Sequence, residues 1–264
     1  MSTIAPTTYA PPLVGAKAPT RPGLGRLSLV EMRKMVDTRS GKWLLGIIVL
    51  LAFARVTVGV FVGGRADRRF ENLFIYALLP TVVLLPVLGI LLVTSEWSQR
   101  TALTTFTHVP QRERIVAAKL AAGVAFSVLA MVSCLAVAAA GNLVLVGFDR
   151  GSGGWHLAAA DLSQSFLALV LSVVMGVAFG MVFLSSPLAI VLYFLLPILI
   201  SVVNGVVTAI KDTMAWLDYN AASGPLIGER LTDEQWAQLA TSGALWILLP
   251  FVIGLLRVLR SELK

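Results

Sequence analysis

The sequence predicts an all-α integral membrane protein with six membrane-spanning helices, and three observations predict it. Of its 264 residues 57% are hydrophobic and only 13% are charged, about half the charge that a soluble domain carries. Six apolar runs each approach the roughly 20 residues that a helix needs to cross the hydrocarbon core. The Lys and Arg residues lie mostly at one side of these runs.

The N-terminal residues divide into two segments. Residues 1–28 are rich in Pro, Ala, Thr and Gly, a composition that predicts a disordered cytoplasmic tail preceding a six-span membrane domain over 29–264. Ser28 followed by Glu31 fits a capping box, and Gly41 is expected to end the helix that starts there. Four apolar residues recur at helical spacing in this segment: Leu29, Met32, Met35 and Val36. The pattern predicts an amphipathic helix in the membrane interface.

The six apolar runs define the predicted spans and their orientation. They cover residues 43–62, 73–93, 120–141, 162–184, 188–210 and 239–256. With the N-terminus inside, 14 of the 21 Lys and Arg residues fall in the inner segments. Because cytoplasmic loops carry the excess of positive charge, both termini are predicted to be cytoplasmic. Three arginines in the loop 63–72 are the exception to this pattern.

Five residues inside the spans are candidates for a translocation pathway. Arg55 is the charged residue that lies deep in a span, at a cost of about 3 kcal/mol; it either contacts substrate or makes a structural contact while reaching towards the outer face. Pro80 and Pro86 are expected to break the second span, and Pro197 to kink the fifth. Asn204 adds a polar side chain to the fifth span.

Two short patterns predict local geometry, one near the outer face and one within a span. The last outer loop, 211–238, is long and net acidic. Within it Thr232 and Gln235 fit a capping box, which predicts a short helix dipping into the outer leaflet before the last span. Gly176 and Gly180 form a GxxxG pair, which indicates close helix packing in the fourth span.

The sequence has no motif for covalent chemistry. It contains no GxxxxGK[ST], so no P-loop is predicted. The predicted topology puts His108 and His156 on opposite faces, and Cys134 has no second cysteine to join in a metal site. We therefore expect neither an enzyme nor a cofactor or metal on this chain. Nucleic acid is not an expected partner either, because the basic residues flank membrane spans and form no continuous patch.

The polar segment 96–119, EWSQRTALTTFTHVPQRERIVAAK, separates the second and third spans. Leu103 and Phe106 are one helical turn apart, which predicts a short helix over 100–106. Val109 precedes a proline and resists the α region, so this helix must stop there. Residues 111–119 are interpreted as the solvated base of the third span.

This segment resembles the first cytoplasmic loop of type-two ABC transporter permeases. The resemblance lies in the order Glu-Trp, Arg-Thr, a Leu/Phe pair, then Pro followed by Arg and Lys. The interfacial helix, six spans, the minimal turn between spans four and five, the long last outer loop and the basic C-terminus are similar too, so it covers residues 28–264. It implies the permease subunit of an ATP-driven exporter in a prokaryotic plasma membrane, with a separately encoded ATPase.

The resemblance also implies partners and residue roles. Two permease subunits would pair with two ATPase subunits, and ATP and Mg would bind to the ATPase. The second and fifth spans would line the pathway at the permease dimer interface, surrounded by membrane lipids. Glu96 would anchor a coupling helix to neighbouring helices. The residues expected to contact the ATPase are Arg100, Thr101, Leu103 and Phe106.

Other classes of function stay open at this point. A secondary transporter or channel would work without an ATPase, although such proteins usually carry ionisable residues within the membrane or an inverted repeat. A membrane scaffold would need no polar pathway. The transported substrate, and the choice between a homodimer and a heterodimer, do not follow from the sequence.

Overall fold

The computed structural model describes residues 23–64, 68–98, 112–148, 150, 154–206 and 211–260, and every regular element within these ranges is helical. The longer helices are α1 (Leu24–Asp37), α2 (Arg39–Phe61), α3 (Phe70–Ser98), α4 (Arg112–Gly147), α5 (Ala159–Phe183) and α6 (Ser186–Val206). The shorter ones are α7 (Lys211–Leu217), α8 (Tyr219–Ser223), a 3₁₀ turn (Gly224–Leu226), α9 (Asp233–Gly243), a π turn (Ala244–Leu248) and α10 (Leu249–Arg260).

Five helices in the described ranges are long and apolar enough to cross a membrane. They are α2, α3, α4, α5 and the continuous helix Asp233–Arg260 formed by α9, the π turn and α10. A further apolar helix, Ser186–Ile200, is shorter and forms the first part of α6. The predicted all-α class is therefore confirmed, and five of the six predicted spans coincide with helices of membrane-spanning length and hydropathy.

The N-terminal helix differs from the prediction at both ends. It begins at Leu24, and the Ser28 hydroxyl donates to the Leu24 carbonyl oxygen at 2.8 Å inside the helix, so the predicted capping box is wrong. The chain bends after α1, where Thr38 accepts a hydrogen bond from the Gly41 N–H at 3.2 Å and caps α2. Gly41 thus lies in the first turn of α2 and does not end α1. A Cβ there would approach the Met35 carbonyl oxygen to 1.9 Å, so the bend requires glycine.

Helix α3 lies at the centre and packs on α2, α4 and α5. It runs through Pro80 and Pro86 without interruption, so the expectation that these prolines break the second span is wrong. Close packing on α5 supports the helix at this point. A Cβ on Gly176 would come within 2.1 Å of the Pro86 carbonyl oxygen, and one on Gly180 within 3.1 Å of the Ile90 carbonyl oxygen. The GxxxG pair therefore lets the two backbones touch.

The helices α7 and α8 and the 3₁₀ turn form a layer of short elements between α6 and α9. The buried Asp218 carboxylate caps α8 by accepting hydrogen bonds from two backbone N–H groups at 2.9 and 3.2 Å. The Trp246 indole donates to the Leu217 carbonyl oxygen at 2.8 Å, which joins this layer to the last long helix. The Thr232–Gln235 capping box is present. However, α9 continues through the π turn into α10 and is not the separate short helix that we expected.

Candidate coupling site

Four charged side chains meet where α1, α3 and α4 come together, and we call them the ion-pair cluster: Glu31, Lys34, Glu96 and Lys119. The Lys119 ammonium donates to Glu31 Oε2 at 2.6 Å and to the Leu92 carbonyl oxygen at 2.6 Å, and it lies 3.3 Å from Glu96 Oε2. The Lys34 ammonium donates to Glu31 Oε1 at 2.7 Å and to Glu96 Oε1 at 2.9 Å. The cluster therefore joins three helices that are far apart in sequence.

Three of the four residues of the ion-pair cluster are buried. Glu31 and Glu96 are each 6% exposed and Lys119 is 5% exposed, whereas the Lys34 side chain is 44% exposed. Two carboxylates face two ammonium groups, so the formal charges balance. Charges are retained in such a dry position only when they are paired and hydrogen-bonded. The balance explains how these side chains can lie between packed helices.

The pairing sets the protonation of the two α1 residues. Burial by itself raises the pKa of the Glu31 carboxyl, but the charge and hydrogen bonds of Lys119 and Lys34 outweigh it and hold that pKa below its usual 4.5. Burial by itself lowers the pKa of the Lys34 ammonium, but its hydrogen bonds to Glu31 and Glu96 outweigh burial and raise that pKa above 10.5. Both α1 residues are therefore charged at neutral pH.

The position of Lys119 corrects one interpretation made from the sequence. Residues 111–119 were expected to be a solvated base, yet Lys119 is buried. It follows Ile115 and Val116 by about one helical turn, and both of these side chains are buried as well. Its partner Glu31 is 88 positions away in the chain, so local pattern could not reveal the pair. The available signal was a lone lysine directly before an apolar run.

The segment that the resemblance assigns to the ATPase contact lies outside the described residues. This applies to four of the predicted coupling residues: Arg100, Thr101, Leu103 and Phe106. The residues on both sides of this segment are described, and each side is held by contacts to another helix. Glu96 belongs to the ion-pair cluster on one side. On the other side, Arg112 donates to the carbonyl oxygens of Val258 and Leu259 at 2.9 and 3.2 Å, which attaches α4 to the end of α10.

Arg55 makes a defined contact within the fold. Its guanidinium lies over the ring of Tyr76 on α3, 4.1 Å from the ring centroid, in a cation–π arrangement. Gly59 makes room for that ring, because a Cβ there would come within 2.5 Å of it. The contact joins α2 to α3 while the Arg55 side chain remains exposed, which favours the structural interpretation of this residue.

A cavity of about 380 Å³ lies between α3, α5, α6 and the layer formed by α8 and the 3₁₀ turn. Among the pathway candidates, Pro197 lines it, together with Val82 and Val83 of α3. Arg55, Pro80 and Pro86 are not among its lining residues. Asn204 lies further along α6.

Comparison with known proteins leaves the chain without an assigned family. No protein-family model matches it, and no curated protein sequence is significantly similar to it. Within the described ranges, no group of three or more His, Cys, Asp or Glu residues is arranged to hold a metal ion. The fold and the site define a class: an all-α protein with several apolar helices of membrane-spanning length and a buried ion-pair cluster at one end of them.

Proposed function

We infer that this chain is the membrane permease subunit of an ATP-binding cassette exporter, driven by a separately encoded ATPase. The observation that carries the proposal is the ion-pair cluster. It binds together α3 and α4, the two helices that flank the segment 99–111, and it fastens both to α1. A partner that displaces this segment would therefore displace α3, α4 and α1 together.

The packing of α3 supports a route for such a movement. Helix α3 carries Glu96 at one end and presses against α5 at Gly176 and Gly89, where an added Cβ would come within 2.1 and 2.4 Å of the opposing backbone. Packed backbones transmit displacement because they have little room to yield. A shift at the ion-pair cluster would pass along α3 to the walls of the 380 Å³ cavity. Closure of the ATPase pair on ATP would supply the displacement.

The finer arrangement belongs to the same proposal. Helix α6, with 21 residues, would extend about 31 Å at 1.5 Å per residue and so serve as the fifth of six spans. Both termini and the segment 99–111 would face the cytoplasm of a prokaryotic cell. A second permease subunit and two ATPase subunits would complete the transporter, with ATP and Mg bound to the ATPase. Arg100, Thr101, Leu103 and Phe106 would form the docking contact.

Co-purification tests the proposal. The full chain, extracted in detergent from its native membranes, is expected to bring down a P-loop ATPase, identified by mass spectrometry. Leu103→Glu and Phe106→Glu should abolish this association while the purified chain keeps its helical content. Val62→Glu is the matched control. Val62 caps the C-terminal end of α2, whose N-terminal end adjoins α1, and it is 79% exposed. Glutamate at this position should therefore leave the ATPase bound.

Two outcomes would overturn the proposal. In the first, no P-loop ATPase is recovered, and the chain alone carries out transport in liposomes that is driven by an ion gradient; the secondary transporter or channel would then be the better function. In the second, both glutamate variants retain the ATPase as well as the control does, which would place the docking contact elsewhere.

A further inference from the structure

The 380 Å³ cavity has the size of a small-molecule site and a distinctive lining. Its volume lies near the lower end of the roughly 300–1,000 Å³ that ligand pockets occupy. None of the described residues that line it is charged. Most of the wall is aliphatic or aromatic, and the polar exceptions are four hydroxyl side chains and one amide: Ser172, Tyr193, Tyr219, Ser223 and Asn220.

Two of these hydroxyls are available to a ligand. The ring of Tyr193 is held edge-on against Phe179, with centroids 5.7 Å apart. The hydroxyls of Tyr193 and Tyr219 make no hydrogen bond to another residue within the described part of the chain. Burial raises the pKa of Tyr219, so its hydroxyl stays protonated and can donate. A tyrosine hydroxyl that is enclosed without a partner is normally satisfied by water or by a ligand.

The cavity opens sideways between α3 and α6. Val83 and Ile198 line it and are also 53% and 58% exposed on the outer surface of the bundle. Both belong to apolar helices, so the opening faces the hydrocarbon layer that such helices require. At the other end α8 and the 3₁₀ turn cover the cavity, and the buried Leu226 anchors this cover against α5. A ligand would therefore arrive from the lipid phase.

We propose that this cavity binds a neutral amphiphile taken from the membrane: an aliphatic or aromatic body with one hydrogen-bond acceptor, such as a carbonyl or ether oxygen. The body fits the apolar wall, and the acceptor receives hydrogen bonds from Tyr193 and Tyr219. A charged head group is disfavoured because no side chain among the described lining residues carries a charge that could neutralise it away from water. That the bound molecule is the exported cargo rests on the proposed function; binding itself does not.

Photolabelling of the full chain in lipid nanodiscs tests this proposal without any ATPase. The probe is a neutral diazirine-bearing alkyl phenyl ketone, competed by the same ketone without the diazirine and by carboxylate and trimethylammonium analogues of it. Cross-linked peptides are located by mass spectrometry. We expect labels concentrated at the cavity, on α8 and around Ile198, that are removed by the neutral competitor and spared by the two charged ones.

Hydroxyl deletion sharpens the test. Tyr193→Phe and Tyr219→Phe keep the rings and remove one donor each, and each should weaken competition roughly fivefold, as the loss of one net hydrogen bond would. Tyr76→Phe is the matched control, since Tyr76 contacts Arg55 away from the cavity, and its affinity should stay within twofold of the parent. Labels spread over all exposed apolar faces, equal competition by the charged analogues, or affinities that Tyr193→Phe and Tyr219→Phe leave unchanged would each overturn the proposal.

Discussion

Replacing Lys119 by Met is expected to destabilise the chain strongly while keeping the side-chain volume similar. Lys119 is 5% exposed, and its ammonium has three oxygens around it, from Glu31, Leu92 and Glu96. Without it the buried Glu31 and Glu96 carboxylates would each lose an ammonium partner. Removing one partner of a buried ion pair leaves an uncompensated charge and costs about 3–5 kcal/mol.

The same geometry fixes the magnitudes for related variants. In the double variant Glu31→Gln/Lys119→Met, Lys34 and Glu96 remain as a neutral pair 2.9 Å apart. We expect the double variant to be more stable than Lys119→Met alone by about 2 kcal/mol, because it restores charge balance. Lys34→Met removes an ammonium from the same two buried carboxylates, but the Lys34 side chain is 44% exposed. Water can replace part of the lost interaction there, so Lys34→Met should cost less than Lys119→Met.

Reversible unfolding in mixed detergent micelles, followed by tryptophan fluorescence, measures these differences as free energies of unfolding. Circular dichroism of the folded variants checks that their helical content matches the parent. The reasoning is refuted if the double variant is no more stable than Lys119→Met. It also fails if Lys34→Met costs as much as Lys119→Met, since exposure would then make no difference.

Three further outcomes are expected. Gly176→Ala should lower the free energy of unfolding by about 3 kcal/mol, because its Cβ would approach the backbone of α3 to 2.1 Å. Gly46→Ala is the control, since Gly46 has open space around it, and it should leave the free energy of unfolding nearly unchanged. Equal effects of the two substitutions would contradict the packing of α3 on α5. Arg55→Ala should lower the free energy of unfolding by about 1 kcal/mol, the typical contribution of an exposed cation–π contact. The variant should elute like the parent on size-exclusion chromatography. A transport defect in this folded variant would instead support a role for Arg55 in the translocation pathway. The pKa of Glu31 is lowered from 4.5 and that of Lys34 is raised from 10.5, so both residues should contribute their full stabilisation between pH 4.5 and pH 10.5. The contribution of Glu31 should be lost as pH falls through its folded-state pKa. The contribution of Lys34 should be lost as pH rises through its folded-state pKa. Unfolding measured across pH checks this, and a stability that keeps rising below pH 4 would contradict it.

Particular residues show where prediction from the sequence succeeded. The apolar runs predicted long helices because hydrophobic length is a local property of the chain. The capping pair Thr232 and Gln235 was read correctly for the same reason, since both side chains bond to backbone within one turn. The GxxxG pair at Gly176 and Gly180 indicated close packing, but the sequence could not say which helix would pack there.

The errors have physical causes as well. Gly41 looked like a helix terminus, but the bend before it places its Cα against the Met35 carbonyl. The prolines of α3 did not break the helix, because neighbouring helices pack closely enough to support it. The candidate site was predicted only in part: Glu96 was named as an anchor, whereas Lys119 was interpreted as solvated and its pairing with Glu31 was not predicted.

The sequence by itself determined the all-helical class, the approximate positions of the membrane-length helices and the polar segment 96–119, since each of these depends on composition and on spacing within a few turns. Tertiary structure alone decided that Glu31, Lys34, Glu96 and Lys119 form one buried cluster, and that Tyr193 and Tyr219 open into one cavity. Those pairings join residues from different helices. They arise only when the helices pack, because packing removes water from the charged groups, which then pair with one another, and brings the two tyrosines to the same cavity.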